Sequence, residues 1–179
     1  MNQLYFNPST QNVQANSPLT LEIWADTGGV GIDGIDIFLP LQGLILTRFQ
    51  AGTMIANNFQ DVHNGVLRCA FVAPLGQKFT GAGVLALLTL TAAQSTTLAF
   101  DFTLGATNDT NMSRDGVDIL TDVGTTTINT ISTPMPPALQ AAIQAAVTAN
   151  APGAKIVIST YTPAPIPGSP VTLNLTITG

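Results

Sequence analysis

The chain has 179 residues, which fits one domain, or one domain with a small appendage, and suffices to bury a real core. Only 8% of its residues are Asp, Glu, Lys or Arg, against about 25% in an ordinary soluble protein, so its solvated face is built from Thr, Ser, Asn, Gln and Gly and is weakly protected against association. The net charge is −5, and the basic residues Arg48, Arg68, Lys78, Arg114 and Lys155 stand singly, not in the cluster that neutralising several phosphates requires, which excludes nucleic acid as a partner.

Residues 4–6 are a short strand candidate closed by Asn7-Pro8. Residues 19–25 alternate, with Leu19, Leu21, Ile23 and Ala25 on one face and Thr20, Glu22 and Trp24 on the other. A period of two predicts a half-buried strand. Asp26-Thr27-Gly28-Gly29 breaks it. Residues 32–39 alternate again: Ile35, Ile37 and Leu39 face one way, Gly34, Asp36 and Phe38 the other, and Pro40 ends the run. Further strands are predicted at 44–49, 55–59 and 66–73. The runs 84–90 and 97–104 read as an antiparallel pair around a polar break at Gln94-Ser95, feeding a loop at 108–118. Closing strands are predicted at 117–120 and 125–131. Short strands rich in Thr, Val, Leu and Ile, with breaks every ten or so residues, define an all-β sandwich.

After Ser132 the character changes. Pro134, Pro136 and Pro137 make a stiff junction. Residues 137–150 predict a helix: Ala-rich, with Pro137 in the first turn and Leu139, Ile143 and Val147 as one narrow apolar stripe. Gly153 can end it in the left-handed conformation. Strands at 155–161 and 171–177 flank a proline-rich crossing at 163–170. The expected organisation is a sandwich over residues 1–132 and an appendage over 133–179. The appendage is too small to bury a core alone, and is expected to pack on the sandwich or act as an assembly arm on a neighbour.

The single cysteine, Cys69, lies in an apolar run and allows no intrachain disulfide. It reads as a buried, inert thiol. His63 reads as a loop histidine with no second His or Cys ligand nearby. The N-terminal MNQLYFNPSTQ has neither the basic nor the apolar segment of a signal peptide. The longest apolar run, 83–90, is far short of the ~20 residues that span a bilayer, so no membrane partner is expected.

Four segments carry a family resemblance: LEIWADTGG (21–29), IDGIDIFL (32–39), FTGAGVLALLTL (79–90), and 98–120 with its FDFTLGATNDTN and DGVDIL. In order and spacing they resemble the cohesin-type domain of bacterial scaffold and surface proteins, across about residues 4–131. That resemblance implies a β-sandwich of jelly-roll topology, without catalysis, that binds dockerin modules through one sheet face. Carbohydrate-binding modules are cousins of this family. The tail after Ser132 lies outside the family pattern.

Residues 108–118 hold Asp109, Asn111, Ser113, Asp115 and Asp118, with Gly116 between the last two. Alternating oxygens followed by glycine resemble the spacing with which a loop wraps calcium. The same residues also fit an Asn/Asp turn whose side chains cap its own backbone. Trp24, Phe38, Tyr5 and Tyr161 could stack on a sugar, or pack in the core, the assignment expected for most of them.

No catalytic motif stands anywhere in the chain. The expected function is a non-enzymatic structural or assembly protein. In the first reading it is an oligomeric virion-surface component, such as a phage capsid cement or decoration protein, partnered by a shell protein. The alternative is a dockerin-binding cohesin module of an extracellular assembly, and the third reading is a carbohydrate-binding module.

Overall fold

A computed structural model describes residues 1–106, 108–131 and 136–150, and the backbone of 155–162 and 172–178. The expectations for Pro134, Gly153, the crossing at 163–170 and the Tyr161 side chain lie outside the described residues. Contacts gather the chain into two units: Met1–Val13 with Pro18–Thr130, and Gln14–Ser17 with Ile131–Gly179.

The first unit is a β-sandwich. One sheet runs β12 (Asp122–Val123), β1 (Gln3–Asn7), β3 (Pro18–Asp26), β8 (Ala82–Thr91) and β5 (Ile45–Ala51). The second runs β11 (Val117–Asp118), β10 (Asn111–Arg114), β4 (Gly34–Pro40), β7 (Val66–Val72) and β6 (Asn57–His63). A smaller sheet joins β2 (Thr10–Gln14), β13 (Thr125–Ile131) and β9 (Thr96–Ala99).

The core follows from the alternation. Leu19, Leu21, Ile23 and Ala25 are buried on β3, and Ile35, Ile37 and Leu39 on β4. On β7, Leu67, Cys69 and Phe71 point inward, each opposite a buried residue of β4. Strand β8 is central, paired antiparallel to β3 on one side and β5 on the other; Leu85, Leu88 and Leu90 are buried, while Leu87, Thr89 and Thr91 are half-buried on the outer face.

Two expectations are corrected here, and one strand was not foreseen. Residues 84–90 and 97–104 are not an antiparallel pair: β8 pairs with β3 and β5, whereas β9 pairs with β13 in the smaller sheet. The second run also stops at Ala99. Phe100 is buried and stacks on Phe6, ring centroids 4.4 Å apart, and the Asp101 N–H donates to the Phe38 carbonyl, so the chain leaves its sheet there. Strand β2 has no apolar alternation to announce it; TQNVQ offers only Val13 to the core.

In the second unit, α1 (Pro137–Asn150) has Leu139, Ile143 and Val147 half-buried, as their spacing of four predicts. Strands β14 (Lys155–Thr162) and β15 (Thr172–Thr178) form an antiparallel hairpin, with a register shift between Ile158 and Thr160. α1 approaches β14. Among the described residues no helix is long and apolar enough to cross a membrane.

Candidate functional site

The inward positions of the second sheet fix what its outer face presents. Cross-strand partners share a face. One row is Asn111, Asp36, Ala70 and Phe59; the next is Phe38, Arg68 and Asp61; a third is Pro40, Val66 and His63. Val72, opposite Gly34, lies at the other end. Phe59 is 51% exposed and Val72 47%. The Arg68 guanidinium sits over the Phe38 ring, 5.7 Å from its centroid. The result is an open face of four strands, β10-β4-β7-β6, with exposed apolar side chains around a stacked Arg–Phe pair and with Asp36 and Asp61 as its acids.

His63 therefore stands at the end of β6, not in a loop, because the strand runs up to the Asn64-Gly65 turn, whose φ values are +51° and +75°. Arg68 and Phe59 went unnoticed in the sequence. A signal existed for Arg68: a cation inside VLRCAFV must point away from the face that Leu67, Cys69 and Phe71 bury. Phe59 had none, since β6 is exposed on nearly every residue.

The outer face of the first sheet differs. Tyr5 and Trp24 stack on each other, centroids 6.0 Å apart at 20°. Glu22 Oε2 accepts from Trp24 Nε1 and from Asn7 Nδ2, both at 2.7 Å. Tyr5, Trp24 and Phe38 are half-buried on outer faces: for Trp24 and Phe38 this is the face the alternation assigns, whereas the core packing expected for most of the aromatics is not found in any of the three. Cys69 is buried, and loss of solvent pushes its thiol up to about 12.

Residues 108–118, expected as one loop, contain a hairpin. β10 and β11 are joined by Asp115-Gly116, whose φ values of +53° and +76° suit a two-residue turn. Asn111 and Ser113 lie on the strand: Asn111 Nδ2 donates to the Asp109 carbonyl at 3.2 Å, and Ser113 Oγ to the Gly34 carbonyl at 3.4 Å. Asp118 Oδ1 accepts from the N–H groups of Met112 at 3.1 Å and Leu120 at 3.0 Å. Asp109 is buried; its Oδ2 accepts from the Thr103 N–H, while its Oδ1 has no protein partner. Asp115 is drawn away to Lys78 Nζ at 2.5 Å and Arg114 Nε at 3.5 Å. Among the described residues no three or more His, Cys, Asp or Glu gather into a metal-binding group.

Because Asp118 Oδ1 holds two main-chain N–H groups, Asp118→Ala is expected to cost about 1–3 kcal/mol, against little change for Asp118→Asn, which keeps an acceptor. Urea unfolding of the two variants checks this.

Lys78 also lies 3.5 Å from Asp33, whose carboxylate accepts the Asp115 N–H, so one lysine ties three segments. The hydrogen bond from Lys78, then its charge and that of Arg114, hold Asp115 below the usual carboxylate range. A depressed folded-state pKa contributes stability above the ordinary carboxylate value, about 3.9, and that contribution is lost as pH falls through the folded value. Lys78, held above its usual value chiefly by the same hydrogen bond, contributes fully below its ordinary pKa and loses that contribution as pH rises through the folded one. The groups are exposed, so the effect is small and screened by salt. Thermal melts are expected to show Lys78→Met slightly below wild type at neutral pH. The gap closes in strong acid and in high salt.

No protein-family model matches the chain, and no curated protein does. The fold does have relatives among solved structures. A non-cellulosomal cohesin from the hyperthermophilic archaeon Archaeoglobus fulgidus matches with TM-score 0.57 and 12% identity, over 73% of this chain and 91% of that one. The type I cohesin–dockerin complex Coh-OlpC-Doc435 from Clostridium thermocellum matches with TM-score 0.54 and 13% identity, over 73% and 95%. The cohesin module of a family 33 glycoside hydrolase from Clostridium perfringens matches with TM-score 0.51 and 17% identity, over 73% and 98%. The architecture is thus that of a cohesin-type β-sandwich, with a helix and a hairpin following it in the chain.

Proposed function

We propose that this chain is a non-catalytic protein-binding module that receives its partner on the outer face of the β10-β4-β7-β6 sheet. The observation that carries the reading is the exposed Phe59 and Val72 beside Arg68 stacked on Phe38. Buried aromatic and arginine anchors dominate protein interfaces, and exposed apolar groups on an otherwise polar surface mark where one forms. Cohesin architecture supports it, since one of the matched structures is a cohesin–dockerin complex. The partner in this reading is a dockerin-like module on another protein, in an extracellular assembly. Capsid decoration has only the low surface charge in its favour.

The test is affinity capture from source cells with the full chain, bound proteins being identified by mass spectrometry. Phe59→Ala serves as the site variant and Gln50→Ala, on the outer face of the other sheet, as the control. Capture of unrelated proteins that share one small module, lost with Phe59→Ala and kept with Gln50→Ala, is expected. Capture of a single shell-forming protein, indifferent to Phe59, would overturn the reading.

A further inference from the structure

The outer face of the first sheet carries an aromatic row that partner binding on the second sheet does not use. Tyr5 of β1 is opposite Trp24 of β3, and Trp24 is opposite Val84 of β8. On the other flank of Tyr5 stands Gly124, whose N–H donates to the Leu4 carbonyl at 2.7 Å. A Cβ at Gly124 would come 3.1 Å from the Tyr5 Cβ, so this glycine is the neighbour of Tyr5 on the same face. The two rings stack with centroids 6.0 Å apart. Trp24 therefore takes one face of the Tyr5 ring, and the opposite face looks toward a position with no side chain.

The next row supplies acceptors. Asn7 and Glu22 are opposite one another, one step of about 7 Å along the strands from the rings. Glu22 Oε2 takes both the Trp24 Nε1–H and an Asn7 Nδ2–H, which holds the three side chains together. Glu22 Oε1, Asn7 Oδ1 and the Tyr5 hydroxyl are left without protein partners among the described residues. On the other side of the rings, Asp122, Gln3 and Asp26 form the flanking row. None of the three rows holds a Lys or Arg, so the face is acidic at both margins.

We propose that this face binds a neutral, β-linked oligosaccharide of pyranose rings with equatorial hydroxyls. Such a ring presents C–H groups on its faces and hydroxyls at its edge. The C–H face packs on the open face of Tyr5, where the negative face of the aromatic ring meets weakly positive hydrogens. The hydroxyls donate to Glu22 Oε1 and Asn7 Oδ1, the first of these a charge-assisted hydrogen bond. Phosphate-bearing and uronic-acid chains are repelled by Glu22, Asp26 and Asp122. A proline-rich peptide also docks on aromatic rings, but its imide nitrogens have no hydrogen to give these acceptors. The site lies on the other sheet from the β10-β4-β7-β6 face and does not depend on that reading.

The experiment is titration of the full chain with cellohexaose, a hexamer of β-linked glucose whose ring substituents are all equatorial. Trp24 is the chain's one tryptophan, so intrinsic fluorescence reports on this site alone and needs no variant. Wild type is expected to show a saturable change in emission at millimolar sugar, with matching heat in calorimetry. Tyr5→Ala is expected to weaken binding about tenfold. Tyr5→Phe, which keeps the ring, and Phe59→Ala, on the other sheet, are expected to bind as wild type does. No change in emission and no heat at millimolar cellohexaose would overturn the proposal. A response to decaproline with none to the sugar would overturn it as well, and so would undiminished binding by a folded Tyr5→Ala.

Discussion

Gly52→Ala is expected to lower stability by about 3 kcal/mol, one of the largest losses a single methyl group can cause in this chain. Gly52 follows β5, where the chain bends onto the central strand. Its N–H donates to the Leu85 carbonyl at 2.7 Å, and the Met54 N–H to the Val84 carbonyl at 3.2 Å. A Cβ at Gly52 would lie 2.0 Å from the Val84 carbonyl oxygen and 2.5 Å from its carbon. These are backbone atoms of β8, paired on both sides, so they cannot swing aside as a side-chain tip would. Gly43→Ala makes the comparison. Gly43 has φ +83° but nothing within 4 Å of a Cβ, so it carries only the left-handed penalty of about 1–2 kcal/mol. Urea midpoints at unchanged slope separate the two. A Gly52→Ala loss no larger than that of Gly43→Ala would show that β5 and β8 do not meet this closely.

Phe59→Ala is expected to weaken partner binding by about 2 kcal/mol, near 30-fold, while stability moves by less than about 1 kcal/mol. Phe59 is half exposed on an edge strand, so truncation removes little core but takes away the most prominent apolar group on that face. Arg68→Glu is expected to match it, since it breaks the stack on Phe38 and adds a third acid beside Asp36 and Asp61. Affinity by calorimetry, with urea unfolding of the same samples, separates a lost contact from a lost fold. A fall in affinity that merely tracks stability would remove Phe59 from the interface.

Much of the sandwich was legible because burial on one face imposes a period of two. Leu19 to Ala25 and Ile35 to Leu39 declared both strand and inward face, and Phe38 was already on the outward side. What failed had physical causes. Strand β8 is flanked by β3 and β5, and an apolar run shows that a strand is buried but not which strands pair with it. β2 and β6 are polar strands with no stripe to read. The Asp115-Gly116 turn hid a hairpin inside a run of Asn and Asp. Alternating oxygens in sequence imply converging oxygens only if the chain curls around them; here residues 111–114 are extended, so Asn111 and Ser113 stand side by side on one face, about 7 Å apart along the strand, and do not close on one point. The cohesin resemblance reached the architecture through turn glycines and strand cores, but could not place Arg68 or Phe59, which belong to a surface the fold leaves free to vary.

The most direct measurement is hydrogen exchange of the full chain, alone and with its captured partner. β6 is an edge strand, exposed on nearly every residue, so its amides report on anything that covers them. Slowed exchange across Asn57–His63 and the adjoining β7 and β4 residues, with β1 and β3 unchanged, is the predicted footprint. Protection confined to β1 and β3, or to residues 137–178, would place the partner elsewhere and contradict the assignment of the binding face.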